Sequence, residues 1–439
     1  MTNVPKEVQQ AYGLLPNRWR LEKLKFYAGV RNSNVDKTIA DDEEPVQLCN
    51  YTDVYYNDRI TRDLEFMQGS ATESEIEKFQ LKRGQEIITK DSEAWNDIGI
   101  PALVTEDMPD VLCGYHLSVF EAGPDLDGAF LAWLCRSEPL NDQFKLGANG
   151  VTRYGLGLYP MKNAFAALPP IKTQRRIVDF LDEKTARIDG LIEKKRALLG
   201  RLGEKRQTFI TRAVTKGLDP SAPMKPTGID WLGNVPEHWE VLPLKRVVQY
   251  QEGPGILAID FRDEGVPLLR VASIGDRYAT LEGVNFLDPE MANGKWGHFL
   301  TKIGDLLISA SATSGIVSEV TEETAGCIPY TGIIRVNPVA GEAASSFIRH
   351  LLVSDVFLSQ IDQLKAGSTI QHFGPYHLGL MAIAKPPLEE QVAIGGELDR
   401  SLNEIETNER RVNKSIELLN EYRSALITAA VTGKIAGLQ

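Results

Sequence analysis

The stretch Leu168–Thr215, "LPPIKTQRRIVDFLDEKTARIDGLIEKKRALLGRLGEKRQTFITRAVT", is written a second time at Lys385–Thr432 as "KPPLEEQVAIGGELDRSLNEIETNERRVNKSIELLNEYRSALITAAVT". The copies align without a gap at an offset of 385 − 168 = 217 residues. In the second copy Leu398, Ile405, Val412, Leu419 and Leu426 recur every seven residues, with Leu402 and Ile416 between them. The first copy answers with Leu181, Ile188, Lys195, Leu202 and Phe209, and with Ile192 and Leu199. An apolar heptad sustained this long predicts a narrow coiled-coil seam, so one helix can pack on the other. Pro169-Pro170 and Pro386-Pro387 suit helix entrances, because proline fixes φ and needs no N–H donor there. Gly217 and Gly433 stand where each helix should stop. At 1.5 Å per residue each helix is ~60 Å long, and the pair is expected to be a rod.

The duplication extends beyond the helices. "LPNRWRLEKLK" from Leu15 resembles "VPEHWEVLPLK" from Val235, so each half opens on Pro-x-x-Trp and closes on a Pro-Pro helix. Between these marks lie apolar β-rich runs such as "GVPLLRVASI" and "GDLLISASA". "SSFIRHLLVSDVFLSQIDQLK" has the apolar recurrence of a single helix. The expected fold is therefore mixed α/β, with a pseudo-two-fold internal duplication. Globular regions at residues 1–167 and 233–384 alternate with helices at 168–217 and 385–439, and a Pro-rich linker at 218–232 joins the halves.

A chain of 439 residues is expected to hold several domains, and 43% hydrophobic with 25% charged residues is the composition of an ordinary globular protein. It has no apolar run of membrane-spanning length and no secretory leader, which points to the cytoplasm. Cys49, Cys113, Cys135 and Cys327 are scattered without a CxxC pair, so neither a disulfide framework nor a zinc site is expected. The chain has no GxxxxGK or GxGxxG phosphate loop and no HExxH, and the residues preceding the Pro-Pro pairs are not those of an amino-methyltransferase site. No catalytic residue and no metal site is expected. The net charge of −12 weighs against a nucleic-acid partner, but acid is concentrated in the first third while Leu168–Leu218 is rich in Lys and Arg.

Taken together, two diverged globular regions, each followed by a long helix entered by "LPPIKTQRRI" or "KPPLEEQVAI" and closed by "ITRAVT" or "ITAAVT", resemble the specificity subunit of a Type I restriction–modification system. The resemblance covers nearly the whole chain. It implies that residues 1–167 and 233–384 are target-recognition domains, each reading one half of a bipartite double-stranded DNA site, with the two long antiparallel coiled-coil helices setting the gap. It also implies that the subunit is not catalytic. It docks two methyltransferase subunits, and two ATP-dependent restriction/translocase subunits can join them. S-adenosylmethionine, ATP and Mg²⁺ then belong to those partners and not to this chain.

Base edges are read by Arg, Lys, Asn, Gln, Ser and Thr on elements that enter a groove. Two stretches at matching positions qualify: "KLGANGVTRYG" from Lys145 and "KAGSTIQHFG" from Lys365. The candidates for DNA contact are Asn149, Thr152, Arg153 and Tyr154 in the first half, and Ser368, Thr369, Gln371 and His372 in the second. Lys145 and Lys365 are the candidate phosphate contacts. The same glycine loops can also be read as structural turns. A second pair, near Lys90 and Ser311, fits either phosphate-binding turns or hairpin ends, and Trp19 and Trp239 fit core packing. The alternative from another class is a coiled-coil scaffold that binds only proteins.

Overall fold

The structure, a computed structural model, describes residues 4–310, 315–366 and 373–439, apart from the side chains of residues 365 and 366. It divides into two compact units. The first holds residues 1–195 and 413–439, the second residues 196–412. Each unit therefore contains one globular domain, the first or last part of one long helix and the complementary part of the other.

The long helices run Ile171–Lys216 and Leu388–Val431. Gly217 and Gly433 follow at φ +73° and +72°, the left-handed conformation that ends a helix. The seam residues are all buried or half-buried, whereas most of the flanking charges are exposed. In the first unit the helices are antiparallel: Arg423 Nε meets Asp189 Oδ1 at 3.0 Å, and Arg176 donates to the Gly437 carbonyl at 2.7 Å. Ile177, Leu181, Ile427, Ala430 and Val431 complete the core of the first domain. In the second unit Ile210, Ala213, Val214, Ile394 and Leu398 do the same.

The first domain is built on a five-stranded sheet, in the order Ala28–Asn32, Leu117–Ala122, Glu86–Thr89, Pro101–Val104, Arg59–Ile60. A four-stranded sheet lies beside it, with Glu44–Cys49 parallel to Met108–Cys113. The second domain repeats the plan with two four-stranded sheets, in which Val266–Leu269 lies parallel to Ile328–Pro329. A two-stranded ribbon ties the beginning of each domain to its end: Arg20–Lys23 with Phe165–Leu168, and Glu240–Pro243 with Ala382–Lys385. Trp239 is fully buried and Trp19 half-buried, each in its domain's hydrophobic cluster.

Two local expectations change. The single helix read from "SSFIRHLLVSDVFLSQIDQLK" is broken into Ser345–Leu352 and Asp355–Ala366. Ser354 is the cause, since its hydroxyl donates back to the Leu351 carbonyl at 2.6 Å and accepts from Phe357 N–H at 3.3 Å, capping a new helix. The Pro-rich stretch after the first long helix is partly ordered, because Met224–Pro226 pairs with Asn234–Pro236.

The duplication is carried atom by atom in buried polar contacts. Gln174 accepts from Asp127 N–H at 2.8 Å and donates to the carbonyls of Asp125 and Pro169. Gln391, 217 residues on, accepts from Ala344 N–H at 2.9 Å and donates to the carbonyls of Glu342 and Pro386. Each glutamine clamps the entrance of a long helix to the loop before a domain helix. The first Thr of the closing "ITRAVT" and "ITAAVT" also has a job. Thr428 Oγ1 accepts from Glu138 N–H at 3.3 Å, and Thr211 Oγ1 accepts from Asp355 N–H at 3.0 Å. The end of each long helix thus caps a helix in the domain encoded by the opposite half of the chain.

Candidate nucleic-acid interface

In the first domain the glycine loop is a tight reversal between the paired strands Ala148–Asn149 and Tyr154–Leu156. Gly150 stands at its tip with φ +150°, and a Cβ there would lie 1.9 Å from the Arg153 carbonyl oxygen, so no side chain fits. Tyr154 and Gly155 pair with Ser92 and Asp91, which brings the loop against the turn that leaves the central strand at Lys90. The result is a polar cluster assembled from three separate segments.

Asp91 is its centre. Its Oδ2 receives Lys90 Nζ at 2.9 Å and lies 2.8 Å from His116 Nδ1. Burial acts to raise the Asp91 carboxyl, but the hydrogen bonds from Lys90 and His116 outweigh it and hold the group below its ordinary value. An imidazole whose Nδ1–H donates to Asp91 has no lone pair left on that atom. Arg153, with Nη2 3.2 Å from Nδ1 and 3.5 Å from Nε2, therefore lies against the ring and can bond only Nε2. Lys90 sits over the Tyr115 ring at 4.6 Å. A cavity of about 190 Å³ opens beside this cluster, lined by Asp36, Lys37, Asn50, Tyr51, Thr52, Tyr115 and His116.

The other sequence candidates fall in different settings. Lys145 ends the helix Glu138–Gly147 and is ion-paired with Asp142 at 3.4 Å. Asn149 donates its amide to the Gly147 carbonyl at 3.0 Å, Thr152 is exposed, and Tyr154 is half-buried against the core. In the second domain Ser368, Thr369, Gln371 and His372 lie outside the described residues, as does Ser311. Lys365 belongs to the helix Asp355–Ala366, and its side chain lies outside the description.

The second domain shows a different face at the matching place. Asn50 follows Cys49, which pairs with Cys113; Arg270 follows Leu269, which pairs with Pro329. Arg270 therefore stands where the first domain has Asn50. Its guanidinium stacks over Tyr330 at 4.2 Å and donates to Asn285 Oδ1 of the side-chain amide at 3.4 Å. Sequence reasoning did not single out Asp91, Tyr115, His116 or Arg270 as site residues. The "GYH" turn between two apolar strands was the available signal, but its neighbours are fixed by strand pairing.

Among the described residues no group of three or more His, Cys, Asp and Glu side chains is placed to hold a metal ion, and no helix is long and apolar enough to cross a membrane. All four cysteines are buried and unpaired, and burial pushes the Cys113 thiol up to about 12 and the Cys327 thiol up to about 11. They are poor nucleophiles near neutrality.

The chain thus carries a mixed α/β framework built twice, with a long helix after each domain and a different polar face in each half. Residues 236–418 match the family described as "Type I restriction modification DNA specificity domain". The chain is 26% identical over 281 residues to the Type I restriction enzyme MjaVIII specificity subunit of Methanocaldococcus jannaschii, covering 62% of this chain and 63% of that protein. It is also 26% identical over 216 residues to the EcoKI specificity subunit of Escherichia coli, covering 46% of this chain and 44% of that one. Neither alignment spans two thirds of the relative. Among solved structures, the HsdS subunit from Thermoanaerobacter tengcongensis shares the fold over 96% of this chain and 99% of its own, with a TM-score of 0.53 and 18% identity. A chain described under "complex assembly and conformational transition of the type I R-M system" shares it over 96% of this chain and 100% of its own, with a TM-score of 0.72 and 18% identity. The chain is similar to the specificity subunits of Type I restriction–modification systems, and the family match lies in its second half.

Proposed function

We propose that this chain does no chemistry of its own and confers DNA sequence specificity on a Type I complex. Each globular domain reads one half of a bipartite, gapped double-stranded site, and the chain docks two methyltransferase subunits, which hold S-adenosylmethionine. Two restriction/translocase subunits using ATP and Mg²⁺ can join that assembly. The observation that carries this reading is the contrast between frame and face. The glutamine clamps and threonine caps repeat bond for bond, while the matching polar position holds Asn50 in one domain and Arg270 in the other. A duplicated frame with unlike faces suits two unlike half-sites, much as a symmetric dimer suits a palindrome.

The test is to co-express the chain with a Type I methyltransferase subunit from the same source, in a host lacking adenine methylation, and to map every methylated adenine. A single two-part motif with a fixed gap is expected. A stable complex with an active methyltransferase and no such motif would favour a scaffold that binds only proteins.

A further inference from the structure

One pair of features recurs in both halves, seated on the core by its inner side and exposed on its outer side. In the first unit the short helix Leu158–Asn163 packs against the one-turn helix Leu24–Phe26; in the second, Pro375–Leu380 packs against Leu244–Arg246. Both pairs are seated the same way: Leu24 N–H donates to the Ala164 carbonyl at 2.9 Å, Leu244 N–H to the Met381 carbonyl at 2.8 Å, and both leucines are fully buried. Tyr159 and Tyr376 stand at matching positions on the outside, 77% and 75% exposed. Lys25 and Lys245 occupy matching exposed positions on the one-turn helices. Lys25 donates to the Asn163 side-chain amide oxygen at 3.1 Å and lies over the Phe26 ring at 5.3 Å.

The first pair also borders the glycine loop of its domain. A Cβ on Gly147 would lie 2.4 Å from the Pro160 ring, so the base of the first loop rests on the Tyr159 helix. The second loop leads directly into the Tyr376 helix. Side chains that are three-quarters exposed are not held in place by packing. What two unlike half-sites share is not bases but the sugar–phosphate backbone, so a backbone contact can stay the same in both domains while the base readers diverge.

We infer that Lys25 with Tyr159, and Lys245 with Tyr376, are two equivalent grips on the phosphate backbone of double-stranded DNA, one beside each base-reading loop. The ammonium supplies the charge and the phenol a hydrogen-bond donor. This rests on the DNA-reading function proposed above. It is tested on the full chain in complex with its methyltransferase subunits, comparing the wild type with the double variant Lys25→Gln/Lys245→Gln. Binding to a mixed-sequence duplex is followed between ~50 and ~200 mM salt, where each phosphate contact contributes about 0.9 to the slope of log affinity against log salt. The variant's slope should be shallower by about 2, with the methylated motif unchanged. An unchanged slope in a variant that still assembles overturns the inference. So does a variant whose complex falls apart on gel filtration, which would assign both patches to subunit docking. If the wild-type complex neither binds duplex nor methylates, the DNA-reading function itself fails and takes the grips with it.

Discussion

Gln174 and Gln391 each satisfy three backbone groups at the entrance of a long helix, and both side chains are 1% exposed. Gln174→Ala would leave one donor and two acceptors unpaired in a buried place, at a cost of about 3 kcal/mol. Urea unfolding should show that loss, and Gln391→Ala should show a similar one. The glutamines stand in the repeated signature, but their partners are up to 49 residues away in sequence, so their role was not legible there. Arg153 is a different case. It was singled out from the loop composition, whereas its setting against His116 and Asp91 depends on strand pairing. Arg153→Ala should relax the base preference at one position of the first half-site by about 1–3 kcal/mol and leave the second half-site intact, as read in the methylation map. Equal loss at both half-sites would count against modular reading.

Elements are joined by a polar network in the first unit. Glu86 on the central strand meets Arg136 at 3.2 Å, Arg136 reaches the Asp58 carbonyl at 2.7 Å, and Arg423 of the second long helix bonds both Asp58 and Asp189. Glu86 is fully buried, and among the described residues its Oε2 has no partner. Burial pushes its carboxyl up to about 8, with Arg136 only partly offsetting the effect. A folded pKa above the unfolded one means that the folded state holds the proton more tightly. The stability from this group is therefore fully present below about 4.5 and is lost as pH rises to about 8. Glu86→Gln should flatten that decline, so the variant gains on the wild type between those limits when melting temperature is followed against pH. At this scale the heptads gave the long helices directly, and Gly217 and Gly433 gave their ends. The break at Ser354 escaped because the apolar periodicity continues through it, whereas a single side chain's cap decides where the helix restarts.

Each compact unit draws on distant parts of the chain, since residues 413–439 belong with the first 195. Ending the chain at Val412 would remove Ile427, Ala430 and Val431 from the first core, along with the Thr428 cap on Glu138. Hydrogen exchange on that truncated chain should show lost protection throughout the first domain and retained protection in the second. Equal loss in both would mean that the units do not fold as described. The sequence by itself determined the duplication, the two long helices with their seam, the mixed α/β class and the resemblance to specificity subunits, because heptads, Pro-Pro entrances and repeated helix endings are local signals that survive in a single strand of text. Only the tertiary structure decided that each helix ending caps a domain of the opposite half, that Arg153 lies beside His116, and that Arg270 takes the place of Asn50. Those pairings join residues up to 290 positions apart. They are set by strand register and core packing, which no local pattern encodes.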